Sequence, residues 1–192
     1  RAVKEAGLPC AVVVTRLETE NVDGEALHEA IRQTFGERAV PLNLPDAWGV
    51  AVSKVVDVLG ASIPPALADA AAAFRQQVVD RVVEVDEKLL ERYFETGTVA
   101  PEDLAATFPR ALKAGNIVPV LHVSAEKGVG LPELLDFVVR SCPSPHAAVA
   151  RRATDAEGKP VVVDPAGAFS GQVWKVQIDP HVGKLAYLRV WS

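Results

Sequence analysis

AVVVTRLE, residues 11–18, and NIVPVLHVSAEKGVG, residues 116–130, decide the fold that this sequence predicts. In each stretch a short apolar run passes directly into polar residues. Apolar runs of this length, bounded by turn-forming residues, are typical of strands that are buried on both faces of a parallel sheet. Ligands of open α/β sheets bind outside the carboxyl ends of the strands. The polar residues 15–18 and 124–127 are therefore two candidate ligand loops.

Helical patterns follow the first strand and fill the middle of the chain. Asp23 predicts a helix N-cap, and Gly36 predicts the end of that helix. An amphipathic pattern from Pro64 to near Gly97 predicts one long helix. The pattern after it predicts another helix, which Pro109 can kink or split.

Short strands, a linker and a hairpin are predicted elsewhere. Residues 39–45 and 48–60 predict strands, and the prolines in the first of these segments favour sheet edges. Residues 147–168 lack periodicity and predict a linker. Residues 169–192 predict a β-hairpin with Gly183 in its turn. Both ends of the sequence fall inside predicted elements, so we expect the chain to be a fragment of a longer protein.

The composition excludes several classes of protein. The 192 residues are 49% hydrophobic and carry a net charge of −5, which leaves no basic footprint for nucleic acid. The apolar runs are too short to span a bilayer, so no membrane association is expected. Two cysteines exclude a disulfide framework and fit a reducing compartment.

No catalytic or metal-ligating constellation is visible in the sequence. The spacing of the histidines does not suit a metal site, and structural or solvated roles are expected for all four, namely His28, His122, His146 and His181. No general acid–base pair or activated nucleophile is evident, which disfavours an unrelated α/β metabolic enzyme.

Four segments resemble translational GTPases. Residues 7–18 resemble their fourth guanine-nucleotide motif, in which the strand ends in Asn-Lys-x-Asp, and residues 120–145 are similar to their fifth motif, Ser-Ala, with its following helix. Residues 169–192 resemble the entry to the second domain, a β-barrel, in the branch that includes elongation factor G. Residues 85–104 resemble the subdomain inserted in the GTPase domain of that branch. The four segments occur in the order of the family.

The resemblance implies an α/β fold that is part of a P-loop, Rossmann-like GTPase domain with an inserted α+β subdomain, followed by the first strands of a β-barrel. It assigns residues 1–36 and 116–146 to the second half of the GTPase domain and residues 37–115 to the inserted subdomain. Residues 147–168 are then the linker, and residues 169–192 begin the second domain.

The resemblance also implies a guanine-base site, in which all three side chains of the fourth motif are substituted. Glu18 occupies the position of the Asp that accepts from the guanine ring N–H and amine, with a longer arm. Thr15 replaces the Asn and loses its amide. Arg16 replaces the Lys whose stem packs over the ring, and a guanidinium stacks at least as well. We expect weakened or altered guanine selectivity.

The fifth motif implies the other side of the same site. Ser124 and Ala125 match its Ser-Ala pair, whose backbone amide approaches the guanine oxygen. Lys127 follows where the family commonly has Lys, at a position that flanks the base.

The implied function is a translation factor that acts on the ribosome, in translocation or recycling, driven by GTP hydrolysis with Mg²⁺. The alternative is a non-hydrolysing ribosome- or partner-binding module with a degenerate nucleotide pocket. The sequence contains neither G-x-x-x-x-G-K-[ST] nor Asp-x-Pro-Gly-His. We therefore assign no catalytic residue and no Mg²⁺ ligand, and expect this chain alone not to hydrolyse GTP.

The resemblance also implies partners and location. The inserted subdomain of the family meets the ribosomal stalk protein, which makes the acidic face containing Glu84 and Glu87 a candidate docking surface; the alternative is a solvated face. Ribosomal RNA is expected to bind parts outside this chain. We expect a cytoplasmic monomer.

Overall fold

The structure, a computed structural model, describes residues 8–144, 152–155, 157–164 and 166–192. The chain divides into two compact units, one that ends at Cys142 and one that begins at Pro143. His146 and parts of the predicted linker lie outside the described residues. Among the described residues, no helix is both long and apolar enough to cross a bilayer.

A three-stranded parallel sheet organises the first unit. Its strands are β1 (Val12–Val14), β2 (Ala39–Pro41) and β5 (Val118–His122), in the order β1–β5–β2. All five residues of β5 are buried. Val14 pairs with His122, so β1 and β5 end at the same edge of the sheet. This confirms the predicted α/β class with a parallel sheet.

The first strand is less buried than its sequence predicts. Val13 is 40% exposed, and its neighbours are half-buried. The prediction that this strand is buried on both faces is wrong. Within the described residues, β1 lies at an edge of the sheet and pairs only with β5.

A second, antiparallel pair of strands follows β2. It consists of β3 (Asn43–Pro45) and β4 (Val55–Asp57). Between them, where the sequence predicts further strand, the chain forms a short 3₁₀ turn at Gly49–Ala51. Gly49 has a φ of 78°, a left-handed conformation that ends an extended segment and that only glycine adopts without strain.

Within residues 8–144, five α-helices accompany these strands. They are α1 (Gly24–Phe35), α2 (Ala68–Val83), α3 (Glu87–Thr96), α4 (Pro101–Ala114) and α5 (Leu131–Ser141), and a 3₁₀ turn at Pro65–Leu67 precedes α2. Asp23 caps α1 by accepting from the Ala26 N–H at 3.0 Å, and the Gly36 N–H closes it, both as predicted. Pro109 lies inside α4 without ending it.

The predicted long helix is two helices. The chain breaks between α2 and α3 because the Asp86 carboxylate accepts from the Leu89 N–H at 3.1 Å and starts a new helix. Arg110 of α4 holds the same carboxylate at 2.7 Å. The hydrophobic period continues across the break, so periodicity alone predicts one helix where the capping residue produces two.

The main hydrophobic core lies between β2, β5 and the helices α2, α4 and α5. Val78 and Val82 of α2 are completely buried, as are Ala111 of α4 and Ile117 before β5. Burying one such valine or isoleucine stabilises the fold by about 1.5–3 kcal/mol. This core fixes β5, and with it the point at which the second candidate loop begins.

The described residues of the second unit form two antiparallel hairpins. Arg152–Thr154 (β6) pairs with Pro160–Val162 (β7), and Gly171–Asp179 (β8) pairs with Gly183–Val190 (β9). The second hairpin is as predicted, but its turn is residues 180–182, and Gly183, with a φ of 84°, begins β9 directly after the turn. The first lies in the stretch predicted to be a linker, where the absence of alternating hydrophobicity gave no strand signal.

Gly130 closes the second candidate loop where it packs on the end of β5. Its φ is 75°, and a Cβ at this position would lie 2.3 Å from the His122 carbonyl oxygen. Gly128 has a similar φ of 68°, but a Cβ there would meet nothing within 4 Å. The two glycines therefore share a left-handed backbone and differ in the space around them.

We expect Gly130→Ala to destabilise the chain more than Gly128→Ala. Both changes add the strain of a left-handed alanine, about 1–2 kcal/mol, and only Gly130→Ala adds a backbone clash. Urea unfolding of both variants measures the difference. Equal losses of stability would contradict the close approach of Gly130 to β5.

Candidate functional site

The two candidate loops lie side by side at the carboxyl edge of the sheet. The Val123 N–H donates to the Val14 carbonyl at 2.8 Å, which extends the pairing of β5 with β1 into the loops. The first loop then continues through residues 15–18, and the second through residues 124–127. The sequence-predicted site residues are therefore brought together across one pair of strands.

The first loop is a tight turn around one buried side chain. Leu17 is 1% exposed, whereas Thr15 and Arg16, which precede it in the turn, are exposed. The Thr19 N–H donates to the Arg16 carbonyl at 3.1 Å. Arg16 has a φ of 62°, which is uncommon for a residue other than glycine and persists only when surrounding contacts enforce it. Burial of Leu17 is such a contact.

Glu18 is the residue of the first loop that faces the second. Its carboxyl pKa lies below the ordinary value, chiefly because of the Ser124 hydroxyl beside it and secondly because of its own backbone N–H; the charges of Arg16 and Lys127 add to the effect. Glu18 is therefore an anion at neutral pH. Its Oε2 atom is enclosed and has no hydrogen-bond partner among the described residues.

The second loop is held by Ser124. Its side chain is completely buried, its N–H donates to the Val129 carbonyl at 2.8 Å, and its Oγ accepts from the Lys127 N–H at 3.1 Å. Ala125 is exposed. The structure thus places a fixed serine beside the Glu18 carboxylate and leaves the next residue open to a ligand.

The Lys127 ammonium is held by two backbone carbonyls. It donates to the Val50 carbonyl and, at 3.2 Å, to the Val52 carbonyl. Both acceptors belong to the turn between β3 and β4. Sequence reasoning missed this contact because the partners are more than 70 residues apart in the chain and are backbone atoms, which carry no sequence signal.

A pair of hydrogen-bonded histidines lies at the end of β5, just before the second loop. His122, the last residue of β5, is completely buried, and its Nδ1 lies 2.8 Å from the Asn43 carbonyl. Because a carbonyl only accepts, Nδ1 carries the proton, and Nε2 accepts from His28 Nε2–H at 2.9 Å. The Asn43 side chain also binds the backbone of His122, with its oxygen 2.7 Å from the N–H and its nitrogen 3.3 Å from the carbonyl.

The two imidazoles are hydrogen-bonded to each other and packed against an aromatic ring. The Trp48 ring packs edge-on against both imidazoles, with centroids 6.0 Å from His28 and 5.7 Å from His122. No group of three or more potential metal ligands occurs among the described residues. His122, a histidine in an otherwise apolar strand, is the sequence signal for such a cluster. The sequence does not identify its partner, His28, because the two residues are 94 positions apart.

Known proteins align with this chain over all or nearly all of its length. No family model matches the chain. Elongation factor G of Fervidobacterium nodosum is 27% identical over 210 aligned residues, which cover all of this chain and 30% of that protein. The chain is related to elongation factor G over its whole length.

A solved structure supports the same relationship. A crystal structure from Thermus thermophilus superposes on this elongation factor G-like chain with a TM-score of 0.74 and 32% identity over 98% of the chain. The chain spans 28% of that structure, so it corresponds to less than a third of each relative. The chain is therefore similar to part of a translation elongation factor.

We expect the stability of the chain to fall as the pH is lowered from 6.5 towards 4. Burial, and secondly the neighbouring His28, lowers the pKa of His122 to about 4 from an ordinary value of 6.5. Between these values the unfolded chain binds a proton that the folded chain does not, so stability increases with pH in this window. The linkage amounts to about 2 kcal/mol between pH 7 and pH 5.

Urea unfolding at the two pH values measures this effect. The His122→Gln variant lacks the titration and should lose less stability between pH 7 and pH 5, from a lower starting value. A wild-type stability that is the same at both pH values would contradict the neutral histidine pair.

Proposed function

We propose that this chain is the base-reading part of a GTP-binding translation factor that hydrolyses GTP on the ribosome, in translocation or recycling. The observation that supports it best is the position of the Glu18 carboxylate, an anion beside the Ser124 hydroxyl where the two loops meet. A carboxylate accepts hydrogen bonds and donates none. The first loop therefore fits a ligand that presents N–H groups.

Guanine is the purine base that fits this acceptor. Its ring N–H and exocyclic amine lie side by side and can donate to one carboxylate, whereas the corresponding ring nitrogen of adenine is an acceptor and would face the Glu18 anion. The residue after Ser124 is exposed, so its backbone is accessible to the guanine carbonyl oxygen. Arg16 and Thr15 are exposed at the rim of the same loops, where a guanidinium plane can stack on a base.

The phosphates and Mg²⁺ require residues that this sequence does not supply. It has no P-loop motif. We therefore propose that this chain binds the base of GTP or GDP. Other parts of a longer factor then bind the phosphates and Mg²⁺, and GTP is hydrolysed there. Isolated chain should release no phosphate from GTP, and the longer factor should release it faster with ribosomes. A longer factor that binds ribosomes without hydrolysis would favour the non-hydrolysing module instead.

Guanosine titrations of the chain, followed by NMR shifts of the loop amides, test the base-reading proposal. We expect guanosine to bind more tightly than adenosine and to shift the amides of residues 15–18 and 124–127. Glu18→Gln removes the charge and one acceptor, so guanosine affinity should fall roughly tenfold, as for loss of a charged hydrogen bond.

Glu20→Gln is the matched control, because Glu20 is exposed and lies just beyond the same turn. Its guanosine affinity should equal that of the wild type. Equal binding of guanosine and adenosine, or no effect of Glu18→Gln, would refute a guanine-reading role for these loops.

We also propose a cytoplasmic monomer whose inserted unit docks the ribosomal stalk protein through Glu84 and Glu87. Glu87 lies in the first turn of α3, and Glu84 lies just after α2, where it pairs with Arg81 at 3.5 Å. Both side chains are exposed, so the acidic face is accessible. Charge reversal at both positions should abolish capture by purified stalk protein and leave guanosine binding unchanged.

A further inference from the structure

One segment of the inserted unit contacts both candidate loops. We call residues 48–52, in the turn between β3 and β4, the bridging segment. The Gly49 N–H donates to the Leu17 carbonyl of the first loop at 2.9 Å. Lys127 of the second loop donates its ammonium to the Val50 and Val52 carbonyls. The bridging segment is thus hydrogen-bonded to the two loops independently.

A small buried cluster joins the same three pieces of chain. Leu17 comes from the first loop, Val52 from the bridging segment and Val129 from the end of the second loop, and their exposures are 1%, 2% and 9%. This cluster is separate from the main core. Because close-packed side chains transmit displacements, none of the three pieces can move without disturbing the others.

Lys127 is the residue through which these contacts reach the base site. Its backbone N–H donates to Ser124 Oγ at 3.1 Å, and that hydroxyl lies beside the Glu18 carboxylate. Its side-chain ammonium is occupied by the two carbonyls of the bridging segment. The same residue therefore holds the serine at one end and the bridging segment at the other.

Resting on the function proposed above, we propose that Lys127 is a positioning residue that couples the guanine site to the bridging segment. It sets the Ser124–Glu18 pair through the second loop instead of contacting the base. Binding of a base and the order of the bridging segment then depend on one another, and the dependence is equal in both directions. A partner that docks on the inserted unit and moves this segment would change nucleotide affinity.

The test compares the wild-type chain with Lys127→Met, which keeps the length and apolar stem of the side chain and removes its donors. Two quantities are measured: guanosine affinity by NMR titration, and hydrogen exchange of the Gly49 amide with and without guanosine. In the wild type, guanosine should slow exchange at Gly49, which reports the bridging segment without contacting the ligand. In Lys127→Met, affinity should fall roughly fivefold or more, the usual lower range of coupling, and guanosine should slow this exchange less than in the wild type, because only the contact with Leu17 remains.

Two further variants control for charge and folding. Lys54→Met makes the same charge change at an exposed side chain just beyond the bridging segment, and it should behave as the wild type. Lys127→Arg keeps a cation with several donors and should retain part of both effects. It also provides the comparison if Lys127→Met does not fold.

The outcomes separate the two proposals. Guanosine affinity and Gly49 protection that are the same in Lys127→Met or Lys127→Arg as in the wild type would overturn the positioning role alone. Lower affinity in Lys127→Met with an undiminished effect of guanosine on Gly49 exchange would also overturn it, since the coupling would be absent. A wild-type chain that fails to bind guanosine would overturn the proposed function, and the positioning role with it.

Discussion

The candidate site depends on the parallel pairing of β1 with β5. Val14 lies opposite His122, and the Val123 N–H donates to the Val14 carbonyl, so the two chains leave the sheet together. A shift of one residue in this register would turn every side chain of β1 to the opposite face. It would also separate the Glu18 carboxylate, which gives the site its charge, from the fixed Ser124 hydroxyl. The buried centre of the sheet thus determines the geometry of two exposed loops.

His122 shows how strongly this register is specified. Asn43 binds both backbone groups of His122 and the ring as well, which ties the first residue of β3 to the last residue of β5. A polar cluster of this kind is stabilising only when each of its groups has a partner. Both ring nitrogens of His122 have hydrogen-bond partners as long as His28 and His122 are neutral. The cluster that fixes the loop therefore also makes the stability of the fold sensitive to acid.

Much of this arrangement could be predicted from the sequence, and the remainder could not for physical reasons. The two apolar strands, the cap at Asp23 and the turn before Gly183 follow from local patterns, and the adjacency of the loops follows from parallel strands. The division of the long helix at Asp86 depends on a hydrogen bond that competes with a continuous hydrophobic period. The partners of Lys127 are backbone carbonyls, and the contact between His28 and His122 joins distant segments. Neither kind of contact leaves a pattern in the sequence.

The conformation of the first loop depends on its contacts with the turn between β3 and β4. The left-handed conformation of Arg16 is maintained because the next residue, Leu17, is fixed in place. Leu17 is buried against Val52 and accepts a hydrogen bond from the Gly49 N–H. Glu18 follows Leu17 directly in the chain, so the same anchoring limits the positions that its carboxylate can take. The turn between β3 and β4 therefore fixes the backbone of the first loop through contacts from outside that loop.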